Sequence, residues 1–139
     1  MSRITQLSIF VNNEPGAIAN ISKTLREENI NLRAFCIAEG SGFGVLRAIA
    51  DDPHESCAKL KKRSIIVKET EVIGIPMVDQ PGSLFEVTRI FGENNINIEY
   101  AYAYAGVKNA AVFFRVNDVD NAEAVLEKLG VKTLSASDL

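Results

Sequence analysis

Cysteine and histidine are both scarce in this chain. It has two cysteines, Cys36 and Cys57, and one histidine, His54. The cysteines are too few for a disulfide framework, lie in no CxxC spacing and have no histidine partner for nucleophilic chemistry, so they read as reduced packing residues. A lone histidine makes a poor zinc site, and Asp52 and Glu55 beside it are explained by the start of a helix. No metal and no cofactor are therefore expected. The chain also lacks the apolar run of roughly 18 residues that a membrane span needs, and its opening, MSRITQLSIFVNNEPG, lacks the apolar stretch of a signal peptide. A soluble, cytoplasmic protein is the expectation. Basicity is missing too: a net charge of −3 and a pI near 5.2 give no electrostatic footprint for nucleic acid or an acidic membrane. There is no GxSxG, no P-loop, and no carboxylate pair placed by a motif, so a non-catalytic protein is expected. Gly40-Ser41-Gly42-Phe43-Gly44 is glycine-rich, but a strand follows it rather than a helix, which makes it a strand-to-strand turn.

What is present is a repeat. The 139 residues, 47% apolar, suffice for one ordinary domain or two very small ones. Pro15 and Pro81 stand 66 positions apart, and the same offset pairs Ile9 with Ile75, Gly16 with Gly82, Glu27 with Glu93, Gly40 with Gly106 and Asp52 with Asp118. It also lays Asn29-Ile30-Asn31 on Asn95-Ile96-Asn97, and Ala58 and Leu60 on Ala124 and Leu126, without a gap. Identities at one fixed offset, most at turns or apolar positions, mark two copies of one supersecondary unit.

Periodicity maps each copy. In the first, QLSIFV alternates as a strand, and Gly16 to Glu28 carries Ile18, Ile21 and Leu25 at helical spacing. Residues 31–38 and 44–50 are strand-like, and 53–63 reads as a helix capped by Asp52, with Pro53 first and Glu55 three residues after the cap. Residues 64–68 close the unit as a strand. The second copy repeats this at 72–77, 82–94, 96–105, 110–116, 119–129 and 131–134. The order is βαββαβ twice, an α+β class of ferredoxin-like units with antiparallel sheets and helices on one face, one unit over 1–69 and the other over 70–139.

The tandem turns NEPGAI and DQPGSL, each followed by an NIN triplet, resemble those of the ACT family, whose small domains sense amino acids in biosynthetic regulation. The resemblance covers nearly the whole chain. It implies a regulatory protein that binds a free L-amino acid at the interface of its two units, or a regulatory subunit docked on an amino-acid-biosynthetic enzyme; a small ferredoxin-like enzyme is the rival. The implied ligand-binding residues are Asn13, Glu14, Gly16, Ala17 and Ile18 of the first turn, Asp79, Gly82, Ser83 and Leu84 of the second, and Asn31 and Asn97. In this pattern Asn13 works with Asn97 of the neighbouring unit, and Asp79 with Asn31. The chemistry is sound: an uncapped helix start offers N–H groups to a carboxylate, and an Asn or Asp can receive an ammonium group. A purely structural role is equally available to each: Asn13 and Asp79 as helix caps, Asn31 and Asn97 as turn residues.

Strand parity gives a last expectation. Leu7, Ile9, Val11, Leu46, Ala48, Ala50, Ile73, Ile75, Met77, Val112, Phe114 and Val116 mark the faces covered by helices. Alternation puts Phe10, Phe35, Ile37, Val45, Ile49, Ala101, Ala103 and Phe113 on the opposite faces, with Arg33, Arg47, Glu99 and Arg115 scattered among them. Faces so apolar predict a homodimer, or docking on a partner enzyme, through the open sheet.

Overall fold

The computed structural model describes residues 2–106 and 109–139. The chain divides into two compact units, Thr5–Thr70 and Glu71–Leu139, the second joined by the N-terminal residues up to Ile4. The first holds β1 (Ile4–Asn12), α1 (Ala17–Glu27), β2 (Leu32–Glu39), β3 (Phe43–Ala50), α2 (Pro53–Lys62) and the start of β4 (Val67–Met77), in the strand order β2-β3-β1-β4. The second continues β4 and adds α3 (Ser83–Glu93), β5 (Ile98–Ala105), β6 (Ala110–Val116) and α4 (Val119–Lys128), with the order β4-β6-β5. Each is a ferredoxin-like βαββαβ unit of class α+β with antiparallel pairing between β2 and β3, β1 and β3, β4 and β6, and β5 and β6. Among the described residues no helix is long and apolar enough to cross a membrane.

Two strand boundaries differ from the sequence reading. The strands expected at 64–68 and 72–77 are one strand, β4, because Glu69-Thr70-Glu71 between them holds no glycine, proline or asparagine to turn the chain. The strand expected at 131–134 shrinks to one bridge, Leu134 to Gly74, with the Leu134 N–H donating to the Gly74 carbonyl at 2.8 Å. Ser135 ends it by opening a short 3₁₀ turn, in which its amide donates to Asp138 at 2.8 Å.

Helix ends are set by local chemistry. Asp52 and Asp118 cap α2 and α4, accepting from the amides of Glu55 and Asn121 at 3.3 and 3.0 Å. All four α-helices end in the same way, with a left-handed residue after the cap: Asn29, Ser64, Asn95 and Gly130. Around Asn29, its amide donates to Arg26 and that of Ile30 to Leu25; around Asn95 the acceptors are Gly92 and Phe91. This is the Schellman arrangement, which satisfies carbonyls that a helix end otherwise leaves unpaired. The basic run Lys59, Lys61, Lys62, Arg63 closes α2, where cations complement the helix dipole; Arg63 reaches Glu27 at 2.9 Å and Glu28 at 3.3 Å.

The cores match the expected helix-covered faces. In the first unit Leu25 of α1 and Cys57 and Leu60 of α2 bury Leu7, Ile9, Val11 and Leu46. In the second, Val87 and Phe91 of α3 and Ala122 and Leu126 of α4 bury Ile73, Ile75, Val112, Phe114 and Val116, and Phe91 meets Phe114 edge-on at 5.3 Å.

The opposite faces depart from expectation. Register places Phe35 across from Ala48 and Ile37 across from Leu46, on the helix side of the sheet; Ala101 and Ala103 likewise face Phe114 and Val112. The cause is a β-bulge in each edge strand, between Leu32 and Ala34 in β2 and at the equivalent Ile98 to Tyr100 in β5, which inverts the alternation downstream. Nor is the other face bare: Ile49 is 2% exposed and Phe113 1%. That face also carries buried Gln6 and Ser8, joined by a 3.0 Å hydrogen bond that continues to Thr70 at 3.2 Å. Large apolar side chains lie open elsewhere: Phe35 is 59% exposed and Ile37 50%, both on edge strand β2.

Candidate functional site

The two PG segments form one backbone device. In the first, the Ala17 amide donates to the Glu14 carbonyl at 3.3 Å across Pro15 and Gly16, and Gly16 has φ 87° and ψ −13°. In the second, Ser83 donates to Gln80 at 3.4 Å across Pro81 and Gly82, with φ 93° and ψ −18°. Both are type II turns: proline presets the first central position, and the positive φ of the second requires glycine. A Cβ on either glycine would meet nothing within 4 Å, so the requirement is torsional and not one of space.

Each turn delivers a helix with no side-chain cap at its start. Helix geometry then leaves the amides of Ile18 and Ala19, and of Leu84 and Phe85, without intrahelical acceptors. Asn13 and Asp79 are exposed just before the turns, and neither side chain makes a hydrogen bond or ion pair among the described residues. The capping role that the residue types allow is not used.

The NIN triplets divide into three tasks. Asn29 and Asn95 take the left-handed helix-ending position, and Ile96 is buried against the core. The last asparagine ties the loop to the next one. Asn31 accepts from the Asp51 amide at 3.2 Å and donates from its side chain to the Asp51 carboxylate at 3.3 Å; Asn97 accepts from the Asn117 amide at 3.1 Å, while its own amide donates to Asn117 Oδ1 at 2.9 Å. Arg33 adds a 2.5 Å contact to Asp51, and this guanidinium, followed by the Asn31 amide, holds the Asp51 carboxyl below the ordinary aspartate range. In the second unit the residues equivalent to Arg33 and Asp51 are Glu99 and Asn117, so the charged knot becomes a neutral one.

A cavity lies beside each turn. One of about 280 Å³ opens at the second, against Asp79, Ser83 and Leu84 and the ends of β4, β5 and β6. One of about 290 Å³ at the first touches Glu14 and Ala17 but extends toward Asn20, Ile21 and the Ser64–Ile66 segment.

An ACT domain-pair family model matches residues 2–138. The chain belongs to that family. Among solved structures it is similar to protein BT0572 from Bacteroides thetaiotaomicron, at 38% identity and TM-score 0.89, covering 98% of this chain and 94% of that one. It shares its fold with the regulatory subunit of aspartate kinase from Thermus thermophilus, in a ligand-free form (16% identity, TM-score 0.60, 94% of this chain and 92% of that one). The corresponding subunit from Thermus flavus is similar at 14% identity and TM-score 0.57, covering 91% and 94%. Among curated proteins, no sequence match is found.

Within one ACT unit the expected ligand residues are not brought together. Asn13 precedes α1 and Asn31 follows it, and 11 residues of helix span roughly 16 Å, too far for one amino acid to touch both. Asp79 and Asn97 are separated by α3 in the same way. What each unit does assemble is its own turn: Asn13, Glu14, Gly16, Ala17 and Ile18 in the first, Asp79, Gly82, Ser83 and Leu84 in the second. Sequence reasoning missed the pairing of Asp51 and Asn117 with the NIN asparagines. The 66-residue offset relates these two positions and could have flagged them. It also missed Val78 and Phe85, exposed apolar residues at the second turn with no polar chemistry to draw notice.

Proposed function

We propose that this ACT domain pair is a non-catalytic, amino-acid-binding regulatory protein, whose ligand carboxylate meets the free amides at a PG-turn helix start and whose ammonium meets Asn13 or Asp79. The observation that carries the reading is the pair of uncapped helix starts, each flanked by an exposed asparagine or aspartate that has no other partner among the described residues. A structural role would have those side chains cap the helix; a ligand role keeps them available. Because Asn31 and Asn97 lie at the far ends of α1 and α3, neither NIN asparagine completes the site at the turn of its own unit. Regulation then follows from unequal affinity of the ligand for two arrangements of the units.

Self-association fits the same picture, through a different surface from the one that alternation suggests. Edge strand β2 presents Phe35 and Ile37 beside unpaired backbone groups, with no proline or lysine to blunt the edge, as a place for a second copy to pair. The experiment is a thermal-shift screen of the twenty amino acids. A ligand at a hundredfold its Kd adds about 2.7 kcal/mol, a rise of several degrees for a chain of this size. Silence from every amino acid at millimolar concentration would remove the reading. With a binder in hand, Asn13→Ala and Asn97→Ala test the first site, and Asp79→Ala the second.

A further inference from the structure

The two turns share a backbone but not a floor. At the second, β5 and β6 end in Ala103, Ala105 and Ala110, and these small residues leave the 280 Å³ cavity open beneath the start of α3. Met77, Leu84 and Val112 supply its apolar walls, and Asp79 stands among the lining residues. Register puts Met77 across from Ala110, and Ala103 across from Val112, so the floor is continuous from strand to strand. In the first unit the offset of 66 places Ile37 where the second has Ala103, and Glu39 where it has Ala105. Ile37 is on the same helix-side face as its counterpart, and it brings a branched side chain to the position that Ala103 leaves empty. The first unit's cavity lies elsewhere, toward the Ser64–Ile66 segment.

We infer that the Asp79 cavity is a specificity pocket for the side chain of an apolar α-amino acid, one of the leucine, valine, methionine or phenylalanine type, and that the first turn does not take this class of ligand. The inference rests on the amino-acid-binding reading above and narrows it to one unit and one ligand class. Asp79 receives the ammonium group, and the alanine floor receives the hydrocarbon. Gln80, Ser83 and Tyr104 also line the cavity, but its strand floor of Ala103, Ala105, Ala110 and Val112 is hydrocarbon, and a hydroxyl, amide or ammonium on the ligand side chain that reaches this floor is left unpaired, which a pocket of this kind discriminates against. At about 280 Å³ the space falls just short of the range for drug-sized ligands, which suits a free amino acid. Exposed Val78 and Leu84 at the rim add apolar surface for the ligand to cover.

The test is calorimetric titration of the intact protein with L-leucine, L-valine, L-methionine and L-phenylalanine, set against L-serine, L-threonine, L-lysine and L-aspartate. Binding of the apolar set at least tenfold tighter than the polar set is expected. Ala103→Ile, which installs the residue used by the first unit, should weaken that binding at least tenfold while leaving the melting temperature of the free protein within a few degrees. Should that variant fold poorly, Ala105→Glu, at an exposed position where the first unit has Glu39, places a charge at the cavity mouth and should weaken the same ligands. Preferential binding of a polar amino acid overturns this inference and leaves the amino-acid reading standing. So does apolar binding that is unmoved by both floor variants. Absence of binding by any of the eight removes the broader reading as well.

Discussion

Replacing Gly82 with alanine isolates the energy stored in the turn that opens α3. Its backbone sits at φ 93°, where an L side chain costs about 1–2 kcal/mol, and no atom lies within 4 Å of the added Cβ to contribute a clash. A stiffer unfolded chain returns about 0.4–1 kcal/mol, so the net loss should be about 1 kcal/mol. Gly92 provides an internal control in the same helix. It too has open space where a methyl group would go, but its φ is not positive, so alanine there should stabilise by about 0.5–1 kcal/mol through helix propensity. The same chemical change ten residues away thus carries the opposite sign. Urea unfolding at constant slope reads both shifts, and thermal unfolding should show a few degrees in each direction. Gly82→Asn should recover part of the loss, since asparagine tolerates left-handed backbone. Equal signs for Gly82→Ala and Gly92→Ala would refute the type II turn. A Gly82→Ala loss beyond about 3 kcal/mol would do the same for the claim that the constraint is purely torsional.

Ile37→Asp should leave the fold intact and yield a monomer in light scattering, whereas Phe113→Asp, which buries a carboxylate without a partner, should abolish cooperative folding by circular dichroism; a folded Phe113→Asp protein would mean the sheet faces are misassigned. Asp51, held below the ordinary carboxyl range by Arg33, and Glu27, held down by Arg63, bind protons less readily folded than unfolded. Their contribution is therefore complete above the ordinary carboxylate values and fades as pH falls through about 4 and below, so Asp51→Asn should flatten the acid limb of the stability curve; an unchanged limb would dismiss the Arg33 contact. Arg3, bridged to Glu71, Asp120 and Glu123, anchors the N-terminal residues to the second unit, so Arg3→Ala should speed hydrogen exchange of the Ile4 amide without touching α4, and unchanged exchange would show the anchor to be idle.

Much of this fold is legible in the residues alone. The 66-residue offset marks the tandem repeat of the ferredoxin-like fold, and the Asp52 and Pro53 start of α2 behaves as cap and first-turn proline. The PG and NIN elements stand out as repeats, because turns and helix ends have backbone torsions that few residues satisfy. The bulges at Leu32 to Ala34 and at Ile98 to Tyr100 do not, since an extra residue in an edge strand carries no signature in composition, yet each inverts every side chain after it. Alternation therefore puts Phe35 and Ile37 on the wrong face, and the proposed association surface with them. The continuity of β4 escapes for the reverse reason: the end of one repeat suggests a boundary where the chain has no residue to make one. The Asp79 cavity is hidden because alanines do not announce themselves; they matter only by comparison with what the first unit has in their place.

That comparison separates two kinds of position within the chain. Where backbone torsion is demanding, the units agree: Pro15 and Pro81, Gly16 and Gly82, Asn29 and Asn95, Asp52 and Asp118 each hold the same φ-setting, helix-ending or capping job in both. Where side chains face the space beside the turns, they diverge. Asn13 becomes Asp79, Glu14 becomes Gln80, Ala17 becomes Ser83 and Ile37 becomes Ala103; at the far end of the helix the Arg33–Asp51 pair likewise becomes Glu99 and Asn117. Packing permits this split without requiring it, because exposed residues before a turn tolerate most substitutions. On the amino-acid-binding reading proposed above, two like backbone cradles with different linings would let a duplicated unit treat two ligands, or one ligand and one vacancy, differently. The repeated identities thus mark what builds the turn, and the differences fall on the residues around it.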